Sequence, residues 1–312
     1  MTIQESKTLP LKITRDHITI VILCFVLTIF NCYLKLVSTP TWFDGTLERN
    51  HNLLLNFAYA NNEQSRLLQF LIPQVFIQLF DLSIPWAYVL QRFIFTFLTF
   101  LLFNVFCKKW LNGTQALLCT LTIALLIPLT YRNHLQESAP LLGLTFLFLL
   151  WAIRENKILL YSIFLVIGSL NNETVLFMPA IYFLVNLKEF KLPRIIHVGL
   201  RTVFFAAPAL LCAGTLRWIT RDRPHLGGAW HFVENLNQLY YPLLFLNIFW
   251  FLPFINFKRV PHFLKRCITG IPLFIIPHLV IGIISETRLM IPLCFILIPA
   301  SMVHVDTNHA FN

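Results

Sequence analysis

Arginines and carboxylates recur at the ends of apolar runs along this chain, in patterns suited to gripping an anion or moving a proton. The stretch SLNNETVLFMP at 169–179 sets Asn171, Asn172 and Glu173 between two apolar runs, and ISETRLMIP at 284–292 nearly repeats it with Glu286 and Arg288. In both, the Glu is followed by Thr and then by an apolar run with a Pro six residues after the Glu; Glu137, with Ser138 and Pro140, is a looser third case. An ionisable group within a membrane costs ~2.5–3.5 kcal/mol and usually faces a functional interior. At a helix start, however, a Glu is favoured by the helix dipole alone, and the proline merely kinks the next span. Both readings stand for any single site, and the recurrence on one face favours function.

Three loops add further candidates. YRNHLQES at 131–138 places Arg132, His134 and Glu137 together. Arg132 suits an anion, and a His near a carboxylate suits acid–base work or metal binding, although a solvated loop would read the same. STPTWFDGTLERNHN at 38–52 carries Asp44, Glu48 and Arg49. A carboxylate held beside arginines at a membrane surface can deprotonate a hydroxyl while the arginines hold an anionic leaving group; the plain alternative is an Asp-Gly turn. RWITRDRPHLGGAWHF at 217–232 is either a flap over a phosphate or an interfacial loop with aromatic anchors.

The elements that must position these residues are helices in a membrane. Of 312 residues, 57% are hydrophobic and 12% charged, far outside the mix of soluble domains. Apolar segments fall near 18–37, 86–106, 115–130, 138–153, 158–170, 174–187, 195–216, 237–256, 267–284 and 288–304. The reading is an all-α, polytopic helical bundle forming a single transmembrane domain over 1–312, with about ten transmembrane segments. An eleventh run, 67–80, is short and carries Pro73 and Gln74, and is expected as an interfacial or re-entrant helix within a first outer-face loop at 38–85. A second outer-face loop is expected at 217–236. The pair 158–170 and 174–187 is too short to cross as ordinary helices and is expected to form a thin or re-entrant pair. The first run has no cleavage site of a removed signal and is expected to stay as an anchor.

Basic residues set the orientation. With the N-terminus inside, nine of the ten lysines face the cytoplasm, while seven of the eight basic residues outside are arginine: Arg49, Arg66, Arg132, Arg217, Arg221, Arg223 and Arg288, beside Lys35. Arginine suits bidentate binding of phosphate or carboxylate, so the outer face is expected to hold the chemistry. The net charge of +10 sits in short loops, with no basic tail or stacking surface for nucleic acid. The seven cysteines show neither CxxC nor Cys/His spacing, so neither disulfides nor a zinc site are expected.

The layout resembles the GT-C superfamily of integral membrane glycosyltransferases, mannosyltransferase-like proteins that use polyprenyl-phosphate sugars. Asp44 follows the first span where that family places its catalytic acid, RLLQFLIPQVF (Arg66, Pro73) resembles its following Arg-to-Pro helix, and the run from Asn133 to Pro179 resembles its central block. SETRLMIPL resembles its late Glu-x-Arg segment. The resemblance implies an inverting sugar transfer at the outer, periplasmic or luminal face, with Asp44 as general base and Glu48 second in line. It implies that Arg288, Arg132, Arg49 and Arg66 hold the donor phosphate, and that His134, Glu137, Asn172, Glu173 and Glu286 orient them or bind sugar. The donor would be a polyprenyl-phosphate-sugar and the acceptor a glycan, lipid or protein hydroxyl. The setting would be the cell envelope, in a bacterial inner membrane with both termini cytoplasmic. No DxD or ExD pair follows the first span, which leaves a divalent cation possible but unassigned. Two other classes remain open: a transporter or flippase of a polar or anionic solute, with a midplane site around 168–174, and a non-catalytic membrane subunit of the same layout.

Overall fold

The computed structural model describes residues 15–59, 62–131, 137–222, 230–255 and 257–304. Arg132, His134 and Arg223 lie outside the described residues. Among those described there is no strand, and fourteen α-helices follow one another: α1 (Arg15–Ser38), α2 (Thr46–Leu55), α3 (Leu67–Phe80), α4 (Ile84–Cys107), α5 (Gly113–Leu126), α6 (Ser138–Arg154), α7 (Ile158–Asn171), α8 (Met178–Asn186), α9 (Leu192–Ile219), α10 (Phe232–Asn237), α11 (Tyr240–Leu246), α12 (Leu252–Ile255), α13 (His262–Ile281) and α14 (Ile291–Met302). Five stretches are helical, long and apolar enough to cross a membrane: His17–Ser38, Ile84–Cys107, Gly113–Thr130, Leu192–Ile219 and His262–Ile281. These are the helices of a membrane protein.

Five further apolar helices, Leu67–Phe80, Ser138–Arg154, Ile158–Asn171, Glu173–Asn186 and Thr287–Met302, are shorter. The expected segment 237–256 is not one helix. It is broken into α11, a 3-10 turn at Asn247–Trp250 and α12, because Pro242 and Pro253 lack amide donors and Asn247 takes φ +44°. The expected pair around residue 172 is present as α7 and α8, parted by Asn172 in an extended conformation and a 3-10 turn, Glu173–Phe177. That turn packs tightly, since a Cβ on Gly168 would stand 2.9 Å from both γ-carbons of Val175.

At the centre lies α14, whose residues Ile291 to Ser301 are all buried. In a membrane a helix apolar on every side can face lipid or protein; this one faces protein, enclosed by α5, α6, α12 and α13. Its residues join α4, α6, α7 and α13 in one continuous core. The two most buried helices, α6 and α14, both start at recurrent polar residues, immediately after Glu137 and after the 3-10 turn Thr287–Met290. The C-terminal ends of α1, α7, α9 and α13 contribute Lys35, Asn171, Arg217 and His278 to the polar groups gathered there. One end of the bundle therefore collects the buried charged residues, Lys35, Glu63, Arg92, Glu137 and Arg288.

Candidate anion-binding site

Glu137 is completely buried, and two cations reach it. Arg92, two turns into α4 and 4% exposed, sets Nε 2.9 Å from Oε2 and donates from Nη2 to Oε1 at 3.0 Å. Lys35, on the last turn of α1 and 3% exposed, lies 3.6 Å from Oε1. Arg92 Nη1 also donates to the Tyr131 hydroxyl at 3.0 Å, which donates to Asn31 Oδ1 at 3.2 Å. Asn31 Nδ2 closes the chain on the Ala124 carbonyl at 3.1 Å. A charge in a dry bundle persists only when paired and hydrogen-bonded; this network from α1, α4, α5 and the start of α6 pairs the charges, leaving Arg92 Nε and Glu137 Oε2, 2.9 Å apart, outside hydrogen-bond geometry.

Arg288 completes the arrangement. It donates from Nη2 to Glu286 at 2.8 Å, yet its Nε and Nη1 are buried with no hydrogen-bond partner among the described residues. With Lys35, Arg92, Tyr131 and Thr130 it lines a cavity of about 40 Å³, room for about one water molecule. Three cations thus line a small cavity whose other walls include Ile127, Ala139, Pro140 and Ile291, and Glu137 bridges two of them. Buried donors left unmade cost about 1–3 kcal/mol each, and two of them on one guanidinium mark a place where an acceptor is wanted.

The second charged cluster is wired to the first. Arg66, at the start of α3, donates from Nε to Glu173 Oε2 at 3.2 Å, and Arg217, at the end of α9, donates to Oε1 at 2.9 Å. Asn172 turns inward, donating to the Ser138 hydroxyl at 3.3 Å, while Asn171 donates to the Ser138 carbonyl at 2.8 Å. Glu63, buried and held by Gln69 at 3.1 Å, lies within electrostatic reach of Arg66, Arg288 and Glu286. Burial pushes its carboxyl above the usual range, and the two arginines pull the other way. Arg66, Glu173, Glu286, Arg288, Glu137, Lys35 and Arg92 therefore form one field at one end of the bundle.

Asp44 and Glu48 sit elsewhere. Both are exposed, Asp44 ahead of α2 and Glu48 in its first turn, and neither lines the cavity that holds Arg288. Asp44 Oδ1 accepts the Thr46 amide at 2.9 Å, and the hydrogen bonds from Thr46 hold its carboxyl below the usual carboxylate range. Arg49, also exposed, adds a smaller pull on Asp44. The hairpin of elements bearing them is fixed by Trp42, buried against Tyr88 with Lys35 over its ring at 5.6 Å, and by His51. Buried His51 shares hydrogen bonds with the Tyr88 hydroxyl at 3.0 Å and Gln74 Oε1 at 2.9 Å. Because an amide oxygen only accepts, the second bond puts a proton on Nε2 and makes Nδ1 the acceptor of the Tyr88 hydroxyl.

Sequence reasoning assigned no role here to Lys35, Arg92 or Tyr131, and placed Arg217 only in a loop read as a flap over a phosphate or an interfacial loop, not on Glu173. An arginine in mid-helix among Phe and Leu was itself a signal, since intramembrane charges point inward and seek partners; Tyr131 carried none. Among the described residues no group of three His, Cys, Asp or Glu stands ready to hold a metal ion. No protein-family profile matches the chain. Neither does any curated protein or solved structure.

Proposed function

We propose that this protein is a multi-pass membrane glycosyltransferase of GT-C type, moving a sugar from a polyprenyl-phosphate donor to a hydroxyl acceptor at the outer face of a bacterial inner membrane. In this reading both termini are cytoplasmic. The observation that carries it is Arg288, whose buried Nε and Nη1 lack partners among the described residues on the wall of a cavity shared with Lys35 and Arg92. A leaving phosphate develops negative charge as the glycosidic bond breaks, and preorganised cations in a site shielded from water stabilise that charge strongly. Glu137 and Glu286 hold these three cations in place before the phosphate arrives. The cavity as it stands is smaller than a phosphoryl group, so entry is coupled to a swing of the Arg288 side chain and parting of the walls.

Asp44, exposed and ionised, is the proposed base for the acceptor hydroxyl, with Glu48 second, and reaches the sugar when the acceptor bridges from the surface to the cation cluster. Arg66 and Arg49 extend the positive rim, and Arg132 and His134 are assigned to the same rim on sequence grounds. Glu173 positions the Arg66 and Arg217 guanidiniums, and Asn172 caps the turn that carries it. The gathering of the buried cations Lys35, Arg92 and Arg288 at one end of the bundle favours this reading over a transporter, which needs polar groups along a path open in turn to both sides.

The test is transfer from labelled polyprenyl-phosphate-sugar in membranes containing the full chain. Arg288→Gln is expected to lower transfer at least ~100-fold, the loss typical of removing one transition-state charge contact, and Asp44→Asn to abolish it while leaving donor binding intact. Undiminished transfer in both variants ends the assignment, and uptake of solute without transfer replaces it with the transporter.

A further inference from the structure

A second cavity of about 450 Å³ opens between α9, α13 and the turn Glu173–Phe177. Its walls are apolar along Leu176, Phe177, Leu210, Ala213, Pro277 and Ile281, and Arg66, Asn172, Glu173, Thr174, Arg217 and His278 supply its polar lining. At one end Arg66 and Arg217 share the Glu173 carboxylate, two guanidiniums against one carboxylate, and Arg217 is 62% exposed at the mouth. On the α13 wall His278 is packed against Phe274 and Phe177, with ring centroids 4.5 and 5.0 Å away. Its Nδ1 donates to the Phe274 carbonyl at 2.7 Å. A carbonyl cannot donate, so the neutral ring carries its proton on Nδ1 and presents Nε2 as an acceptor. Nε2 has no hydrogen bond among the described residues, although the residue is 95% buried (5% exposed).

We propose that this cleft binds a phospholipid whose phosphodiester headgroup carries a free hydroxyl. The chain lies along the α9 and α13 walls, the phosphate takes the unused N–H groups of Arg217, and the hydroxyl donates to His278 Nε2. Each element selects a property of the ligand: the apolar walls a chain, the excess positive charge a single anion, and the acceptor nitrogen a donor. The cleft is separate from the cavity of Arg288. Leu289 lines one and Arg288 the other, so the 3-10 turn Thr287–Met290 is the partition between them. The inference does not depend on sugar transfer.

The test uses the full chain purified in mild detergent, stripped of lipid and offered phosphatidylglycerol or phosphatidylmethanol of the same acyl chains. Both are singly anionic phosphodiesters, and only the first has a headgroup hydroxyl. Retained lipid is counted by native mass spectrometry, without donor or acceptor sugar. The wild type is expected to prefer phosphatidylglycerol about two- to tenfold, the range of one net neutral hydrogen bond. His278→Phe, which keeps the ring packing, is expected to bring the two lipids level, and Arg217→Gln to weaken retention of both. Equal retention of the two lipids by the wild type overturns the proposal. So does a preference that survives His278→Phe, or retention of both lipids unchanged in Arg217→Gln.

Discussion

Replacing Arg92 by Met tests the reasoning about the buried charges most directly. The substitution keeps a long apolar stem in α4 but removes two contacts to Glu137, at 2.9 and 3.0 Å, and one to the Tyr131 hydroxyl at 3.0 Å. Glu137 then keeps only Lys35, 3.6 Å away, in a fully buried position. Removing one partner of a buried pair costs about 3–5 kcal/mol, most of it the penalty of the carboxylate left behind. Tyr131 loses a donor as well, but its bond to Asn31 remains, so the lower half of that range is expected. Combining Arg92→Met with Glu137→Leu removes both charges and should recover most of the loss, because apolar side chains of similar volume commonly replace a buried pair without destabilisation. Lys35 loses its carboxylate in the double variant and holds the recovery short of complete. The measurement is a double-mutant cycle by denaturant titration of the protein in lipid-detergent micelles, reading helical circular dichroism. A coupling energy below about 1 kcal/mol, within the range of exposed pairs, would refute the network as drawn.

Two other expectations concern the scaffold. Gly168→Ala puts a methyl 2.9 Å from both γ-carbons of Val175 and should cost about 1–3 kcal/mol by overpacking, a loss that Val175→Ala relieves; the same titration reads both, and a neutral Gly168→Ala would show the α7 turn to be looser than described. For His51, burial holds the imidazole below its ordinary range, so the unfolded form binds the proton more readily. Its contribution is therefore present above the unfolded value of about 6.5 and fades as pH falls below it, because protonated Nδ1 can no longer accept from Tyr88. Hydrogen exchange across 46–55, corrected for intrinsic rates, should be faster at pH 5 than at pH 7.5 in the wild type and insensitive to that change in His51→Gln; equal pH dependence in both would refute the assignment.

The sequence carried the helices better than their faces. The run 67–80 and the break at Asn172 were legible from length, Pro73 and the polar NNE triplet, and these are the bounds of α3 and α7. The segment 237–256 looked continuous because apolarity alone sets a hydropathy window, while Pro242, Asn247 and Pro253 act on the backbone. Of the candidate site, Glu137, Glu173, Glu286 and Arg288 were visible as charges at helix starts. Their partners were not: when a helix is apolar all round, periodicity cannot tell which side faces the bundle, so Lys35 and Arg92 could not be aimed at Glu137 before the packing of α1 and α4 was known.

The enclosure of Ile291–Ser301 constrains how the chain assembles. A span that shows lipid no flank gains nothing by waiting in the bilayer alone, and this one comes after its neighbours in order of synthesis. The helices that enclose it, α5, α6, α12 and α13, all precede it in the chain. The cavity lined by Arg288 therefore lies on the seam between this last-made helix and walls made before it.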